Sequence, residues 1–277
     1  MKVGFIGLGD QGAPIAHRMI DHGIELTVWG RRAASVEPFA AAGAKVAASP
    51  AELAAGVELV GVCVRADDDV REVVVGADGL LAGARRGLVI AIHSTITPQT
   101  VIDLEALARK KGVHLLDAPV SGGAAGARAG TMTVMAGGSA EALEIARPAL
   151  ESFATNIPHL GGVGAGQQLK LLNNNLCYAN IAMAVSALEI AAKLGVDPDR
   201  AAEIMMTSSG SSAGLGILLN RPLLAHATSA ASAIPKDIHI FQKLMADQGL
   251  GERLAPRVTR TTVEAMKRYA ESLSPPA

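Results

Sequence analysis

The chain has 277 residues, 49% of them hydrophobic and 18% charged, with a formal net charge of −1. This balance excludes a disordered chain, which could not bury a core, and the length supports a large core and two domains. No basic run is long enough to follow a nucleic-acid backbone, so no nucleic-acid partner is expected.

KVGFIG (2–7) reads as a short apolar strand. It runs into Gly7-Leu8-Gly9-Asp10-Gln11-Gly12 and then into a helical segment, AHRMIDHG (16–23). This is the G-x-G-x-x-G pattern in the strand, turn and helix context that gives it meaning. Gly7 permits the turn, Gly9 lets a pyrophosphate approach the backbone, and Gly12 lets helix and strand pack closely. The N–H groups and positive end of the helix then face the phosphates. Residues 7–12 are therefore expected to bind a dinucleotide.

ELTVWG (25–30) reads as the second strand. A site for NAD usually ends this strand with an acid that accepts from the ribose hydroxyls. Here it ends in Gly30-Arg31-Arg32. No carboxylate repels a 2′-phosphate, and two guanidiniums suit one through charge-assisted hydrogen bonds. NADP(H) is the expected cofactor, with NAD(H) use possible.

Further strands are expected at 45–47, 58–64, 88–92, 113–117, 131–136 and 157–160, with helices at 33–42, 67–75, 98–111 and 139–150. Such alternation predicts an α/β fold with a doubly wound, mostly parallel (Rossmann) sheet. After Gly166 only helices are read: 166–194, 198–209, 213–220, 235–247 and 252–271. The first would be about 40 Å long at the helical rise per residue. It can leave the sheet domain and form the spine of an all-α second domain. The expected division is 1–163 and 164–277, with the tail SPPA (274–277) frayed.

Three stretches carry chemistry. In IHSTITPQT (92–100) the fifth strand ends at His93-Ser94-Thr95, and ligands gather at the carboxyl ends of such strands. Thr95 is a pocket candidate, while His93 is read as structural. DAPVSGGAAGARAGTMT (117–133) offers Ser121-Gly122-Gly123, a hydroxyl and clustered N–H groups suited to a carboxylate, although its composition equally fits a flexible loop. GGVGAGQQLKLLNNN (161–175) puts Lys170 and Asn174 one helical turn apart on one face. Taken alone, such a pair reads first as a solvated lysine beside a helix-capping asparagine; turned into one pocket, the amine and the amide can handle a proton on a substrate oxygen. Desolvation would bring that lysine toward working pH as an acid/base.

Cys63 and Cys177 sit in apolar segments and are read as buried free thiols in a reducing cytoplasm, without metal-type spacing. The chain enters a strand almost at once, so no signal peptide is expected. The apolar stretch 176–194 holds Asn180, Glu189 and Lys193 and is read as a buried helix rather than a membrane span. Alanine-rich helices after 166 predict a homodimer or homotetramer.

These motifs together resemble the β-hydroxyacid dehydrogenase family, which includes 3-hydroxyisobutyrate dehydrogenases, tartronate semialdehyde reductases and glyoxylate/succinic semialdehyde reductases. The resemblance covers nearly the whole chain. GFIGLGDQGAP resembles the cofactor loop, DAPVSGGAAGARAGTMT the substrate signature, and GAGQQLKLLNN the catalytic signature. It implies a catalytic lysine at Lys170 with Asn174 as its partner, and a carboxylate clamp at Ser121, Gly122 and Gly123. It implies cofactor contacts at Val64 and Arg65 after strand four, and at Lys236 of the Lys236-Asp237 pair.

The implied reaction is hydride transfer between nicotinamide and a short-chain β-hydroxy acid or its semialdehyde, with Lys170 moving the proton. Four positions depart from the family. Gln11 replaces a methionine, Gly30 an asparagine and His93 an aspartate. Thr228 and small residues stand where many members carry an aromatic residue over the substrate, which points to a roomier or more polar ligand. Two alternatives remain, an imine reductase of the same fold and a non-catalytic cofactor-binding module. Lys170 argues against the first, and the intact Lys170, Asn174 and Ser121 set against the second.

Overall fold

The computed structural model describes residues 1–229 and 232–273, so the tail 274–277, expected to fray, lies outside the described residues. In chain order the elements begin β1 (Lys2–Ile6), α1 (Gly12–Asp21), β2 (Glu25–Trp29), α2 (Ala33–Ala41), β3 (Lys45–Val46), α3 (Pro50–Ala55) and β4 (Leu59–Val62). They continue with α4 (Asp67–Val75), α5 (Leu80–Gly83), β5 (Val89–Ile92), α6 (Pro98–Lys110), β6 (His114–Asp117), β7 (Val120–Ser121), α7 (Gly123–Ala129), β8 (Met132–Val134), α8 (Ala140–Leu150) and β9 (Ala154–Asn156). Helices complete the chain: α9 (Ala165–Lys193), α10 (Pro198–Met206), α11 (Ala213–Leu219), α12 (Arg221–Thr228), α13 (Ile234–Asp247), α14 (Leu254–Thr259) and α15 (Thr262–Ser272). The chain divides into two compact units, Met1–Lys170 and Leu171–Ala277.

The first unit is built on a six-stranded sheet in the order β3-β2-β1-β4-β5-β6, every neighbouring pair parallel. This is the doubly wound arrangement the alternation predicts. Its strands read as nearly unbroken apolar runs because both faces are covered. Val3, Phe5, Val28, Val89 and Ala91 pack on one side with α1, α2 and α8. Ile6, Val60, Val62, Ile90 and Ile92 pack on the other with α3, α4, α5 and α6. The period of two along each strand sorts these residues between the faces. The order reverses at β1 and β4, and crevices at such switch points hold ligands.

A small second sheet, β7-β8-β9, continues from β6, with β7 and β8 antiparallel and β8 and β9 parallel. The glycine-rich stretch 117–133 is therefore ordered, with α7 folded inside it. The ninth strand sits at Ala154–Asn156 rather than 157–160; in the expected stretch His159 forms an isolated bridge to Ala136.

In the second unit, Tyr178, Ile181, Val185 and Leu188 form the buried stripe of α9, packed on residues from α10, α11, α12, α13 and α15. Their three- and four-residue spacing is that of one helical face. Three boundaries differ from expectation. Helix α10 stops at Met206 because the Thr207 and Ser208 hydroxyls donate back to the Ile204 carbonyl. Helix α12 was not anticipated; Asn220 caps it by accepting from the Leu223 N–H, with Pro222 in its first turn. The expected helix 252–271 is two, α14 and α15, parted at Arg260 and Thr261, where the Thr261 N–H and hydroxyl both donate back to the Val258 carbonyl. Cys63 and Cys177 are half-buried rather than buried.

His93 lies in the core at the end of β5. Its ring is parallel to Phe5 and edge-on to Phe153, and Nδ1 is 2.8 Å from the Ala118 carbonyl. Burial pushes its pKa down to about 4, against the opposing pull of that carbonyl. The unfolded chain takes up the proton near the ordinary value of 6.5 and the folded chain does not. Stability tied to neutral His93 is thus whole above pH 6.5 and drains as the pH falls toward 4, by about 3 kcal/mol. Asp117 acts oppositely. Burial raises its pKa, so its contribution to stability falls as pH rises through that value. The wild type minus a His93→Asn variant isolates the histidine. Denaturant unfolding between pH 7 and 4.5 should show the wild type losing the steeper share, and parallel pH dependences would contradict the assignment.

Candidate active site

The cofactor loop follows β1 at the switch point. Gly7 has φ +99°, and a Cβ there would overlap the Cys63 carbonyl where β4 ends. A Cβ on Gly12 would overlap the Gly7 carbonyl. Gly9 differs, since nothing lies within 4 Å of the point a Cβ would take. Two glycines thus serve the fold, and the third leaves open space for a ligand. No side chain caps α1, and its first turn carries no acid, so its N-terminal N–H groups suit a pyrophosphate. These residues fit a dinucleotide. Leu8 packs on the core, Asp10 is exposed, and the Gln11 amide donates to the Met132 sulfur at 4.0 Å.

Beyond β2, a Cβ on Gly30 would come within 2.6 Å of the Ser35 hydroxyl, which would have to turn away from the Arg32 carbonyl it donates to. Arg31 and Arg32 are exposed. The Arg31 guanidinium pairs with Asp69 of α4 at 3.2 Å, a partner the sequence reading missed. Arg32 is the residue before α2, and its carbonyl accepts from the Ser35 hydroxyl at 2.6 Å. Val64 is half-buried and Arg65 exposed, on the loop between β4 and α4. That loop is tied to the loop after β5 through Asp67, which accepts from the Thr97 N–H at 3.0 Å and the Thr100 hydroxyl at 2.6 Å.

Thr95 is half-buried between two gripped neighbours. The Gln167 side chain accepts from the Ile96 N–H at 3.1 Å and donates to the Ser94 carbonyl at 2.8 Å. Ser121 pairs with Thr133 across β7 and β8. Gly122 and Gly123 follow with φ +129° and +62°, a turn that side chains rarely enter.

Helix α9 carries both Lys170 and Asn174. Lys170 is buried, 8% exposed. The Asn174 amide donates to Asp237 at 2.8 Å, and the Tyr178 hydroxyl donates to the same oxygen at 3.0 Å. Burial first, and then the Asp237 charge, hold the Tyr178 phenol well above its ordinary range, so it remains a donor. Lys236, in the first turn of α13, sits 3.1 Å from the other Asp237 oxygen. The Thr228 hydroxyl donates to the Leu224 carbonyl of its own helix.

Residues 2–161 match the family described as the NAD binding domain of 6-phosphogluconate dehydrogenase, and residues 164–273 that described as NAD-binding of NADP-dependent 3-hydroxyisobutyrate dehydrogenase. The chain belongs to the β-hydroxyacid dehydrogenase family. It is 37% identical to an NAD-dependent L-serine dehydrogenase of Pseudomonas aeruginosa over 87% of this chain and 84% of that protein. It is 38% identical to a 3-hydroxyisobutyrate dehydrogenase of the same organism over 78% and 72%. A solved 3-hydroxyisobutyrate dehydrogenase of Mycobacterium tuberculosis with L-serine superposes with TM-score 0.83 at 27% identity, covering 97% of this chain and 94% of that one.

The chain is an NAD(P)-dependent hydroxyacid dehydrogenase. Among the polar residues bonded around these candidates, sequence reasoning gave no role to Asp117, Gln167, Tyr178 or Asp237. Each was visible as a polar residue interrupting an apolar strand or helix face. The structure adds the partners that make burial tolerable.

The contrast among the glycines yields a test. Gly9→Ala is expected to leave the unfolding midpoint unchanged while weakening dinucleotide binding by about tenfold or more, or ~1.4 kcal/mol. Gly7→Ala is expected to lower stability by more than about 1 kcal/mol, since it adds strain and overlap. Fluorescence titration and thermal unfolding separate the two. Unchanged binding in Gly9→Ala would contradict the assignment of the open space to the pyrophosphate.

Proposed function

We propose that the protein is an NADP(H)-preferring oxidoreductase of short-chain β-hydroxy acids or their semialdehydes, with Lys170 as general acid/base. The observation that carries this reading is Lys170 itself, a lysine buried on α9 one turn before Asn174. Lysines are almost never fully buried without a reason.

Nicotinamide, when bound, supplies or accepts the hydride. Lys170 gives a proton to the substrate carbonyl oxygen during reduction and takes it from the hydroxyl during oxidation. Asn174 holds that oxygen. An amide nitrogen carries two hydrogens, and Asp237 engages one of them. Ser121, Gly122 and Gly123 clamp the carboxylate, and Thr95 completes the pocket. Lys236, Val64, Arg65 and residues 7–12 hold the dinucleotide. In this reading residues 1–163 serve the cofactor and residues 164–277 the substrate and self-association.

Arg31 and Arg32 take the 2′-phosphate. Charge-assisted bonds are worth about 1.5–3 kcal/mol, and exposure moves the value toward the lower end. Asp69, already paired with Arg31, shares that guanidinium with the phosphate. NAD(H) remains usable.

Among the described residues one helix, α9, is long and apolar enough to cross a membrane by length and composition. Its buried face packs in the second unit, whereas Leu172, Leu176, Met183 and Ile190 form an exposed apolar stripe. A second copy of the chain covering that stripe gives a homodimer or homotetramer. Light scattering should return at least twice the chain mass, and a monomer mass at micromolar concentration would overturn this.

The test of function is a screen of C3–C5 hydroxy acids, their semialdehydes and a cyclic imine with both cofactors. Wild type is expected to turn over a hydroxy acid or semialdehyde with kcat/KM favouring NADP(H). Lys170→Ala should lower kcat by about 10²–10⁴-fold with dinucleotide binding nearly intact. Arg31→Ala with Arg32→Ala should erase most of the cofactor preference. Near-normal turnover by Lys170→Ala, preference for NAD(H), or turnover of the imine alone would each contradict the corresponding part.

A further inference from the structure

The mechanism above leaves unused two buried polar groups near the start of α9, Asp117 and Gln167, each 0% exposed. Asp117 ends β6, and its two oxygens accept from the Gly164 and Gln167 N–H groups at 2.8 Å each. The Gln167 side chain then reaches the loop after β5. It accepts from the Ile96 N–H at 3.1 Å and donates to the Ser94 carbonyl at 2.8 Å. These two bonds bracket Thr95. Lys170 lies three residues further along α9, on the neighbouring turn of the same face. One amide therefore joins the loop that presents Thr95 to the turn that presents Lys170.

We propose that Gln167 is a positioning residue for the reaction, fixing the Lys170 turn against the Thr95 loop. The proposal rests on the reading of Lys170 as the acid/base. The chemistry of the side chain is specific. An amide brings one acceptor and two donor hydrogens on a single planar group, which suits an N–H and a C=O two residues apart. A methionine of similar length offers neither strong bond. A carboxylate keeps the acceptor for Ile96 but turns a second oxygen toward the Ser94 carbonyl. Reacting groups misplaced by about 1 Å cost about 10²-fold in rate, so loosening this link should be felt in kcat before it is felt in cofactor binding.

The experiment compares Gln167→Met, Gln167→Glu and Lys170→Ala in the full chain, at a temperature where circular dichroism shows each folded. kcat, KM, the dinucleotide Kd and the primary deuterium isotope effect with substrate deuterated at the oxidised carbon are measured. Gln167→Met is expected to lower kcat by about 10- to 100-fold, to leave the dinucleotide Kd within about threefold, and to raise the isotope effect on kcat as hydride transfer becomes more limiting. Gln167→Glu should share the kcat loss. A folded Gln167→Met with kcat within about twofold of wild type would overturn the proposal, because a purely structural role lowers stability without touching kcat or the isotope effect.

If Lys170→Ala is inactive while both Gln167 variants are normal, only the positioning role fails. If Lys170→Ala is active, the reading of the lysine fails and the proposal with it. Should neither Gln167 variant fold, amide exchange in the wild type decides. Ile96 and the first turns of α9 are expected to open together, and fast exchange at Ile96 beside a protected α9 would overturn the link.

Discussion

The Asp117 carboxylate, at the carboxyl end of β6, receives the N–H groups of Gly164 and Gln167 and so fixes where α9 begins. A negative group at a helix N-terminus satisfies orphan donors and complements the helix dipole. Here the group is also buried, and desolvation raises its pKa against the pull of those N–H bonds. The geometry tolerates no bulk around it. A Cβ on Gly137 would come 2.5 Å from one of its oxygens, and one on Gly166 would overlap the Met135 carbonyl. Two glycines and a carboxylate thus set the origin of the helix that carries Lys170 and Asn174.

From that origin, the placement of the other groups follows by short steps along the chain. Gln167 ties α9 to the loop after β5, and Asp67 ties that same loop to the one after β4. The loops at the carboxyl ends of β4 and β5 are held by side-chain to backbone bonds rather than by sheet pairing. Within the second unit, Asp237 plays a matching part by gathering the Asn174 amide, the Tyr178 hydroxyl and the Lys236 ammonium. Buried polar groups are stable only when their partners are present, and here the partners include residues of the proposed site. His93 shows the contrast. It is equally buried, but among Phe5 and Phe153 with a single backbone partner, and it is held neutral.

Much of the fold was legible in the chain. Apolar runs bounded by glycine and proline marked the strands of the main sheet, because both of its faces are covered and little else shapes the pattern. The glycine loop after β1 was legible because Gly7 and Gly12 answer steric demands from the backbone, while Gly9 stands in open space. The second sheet was less so. Strands of two or three residues carry too little periodicity to distinguish 154–156 from 157–160. Helix α7 was hidden because GAAGARA reads as a flexible loop until β7 and β8 pair on either side of it. The Arg31–Asp69 pair and the Gln167 bridge join residues 38 and 71 or more positions apart, and only the folded chain brings them together. The Lys236-Asp237 pair drew notice for its lysine, yet its aspartate organises the local network.

The account turns on where Lys170 and Asn174 stand relative to a reacting oxygen. The most direct measurement is a crystal structure of the protein with a dinucleotide and a short-chain hydroxy acid. The account predicts the hydroxyl oxygen within about 2.6–3.2 Å of the Lys170 ammonium, with Asn174 on the same oxygen and the substrate carboxylate at Ser121, Gly122 and Gly123. A hydroxyl oxygen beyond hydrogen-bond reach of Lys170, with another side chain holding it, would contradict the account.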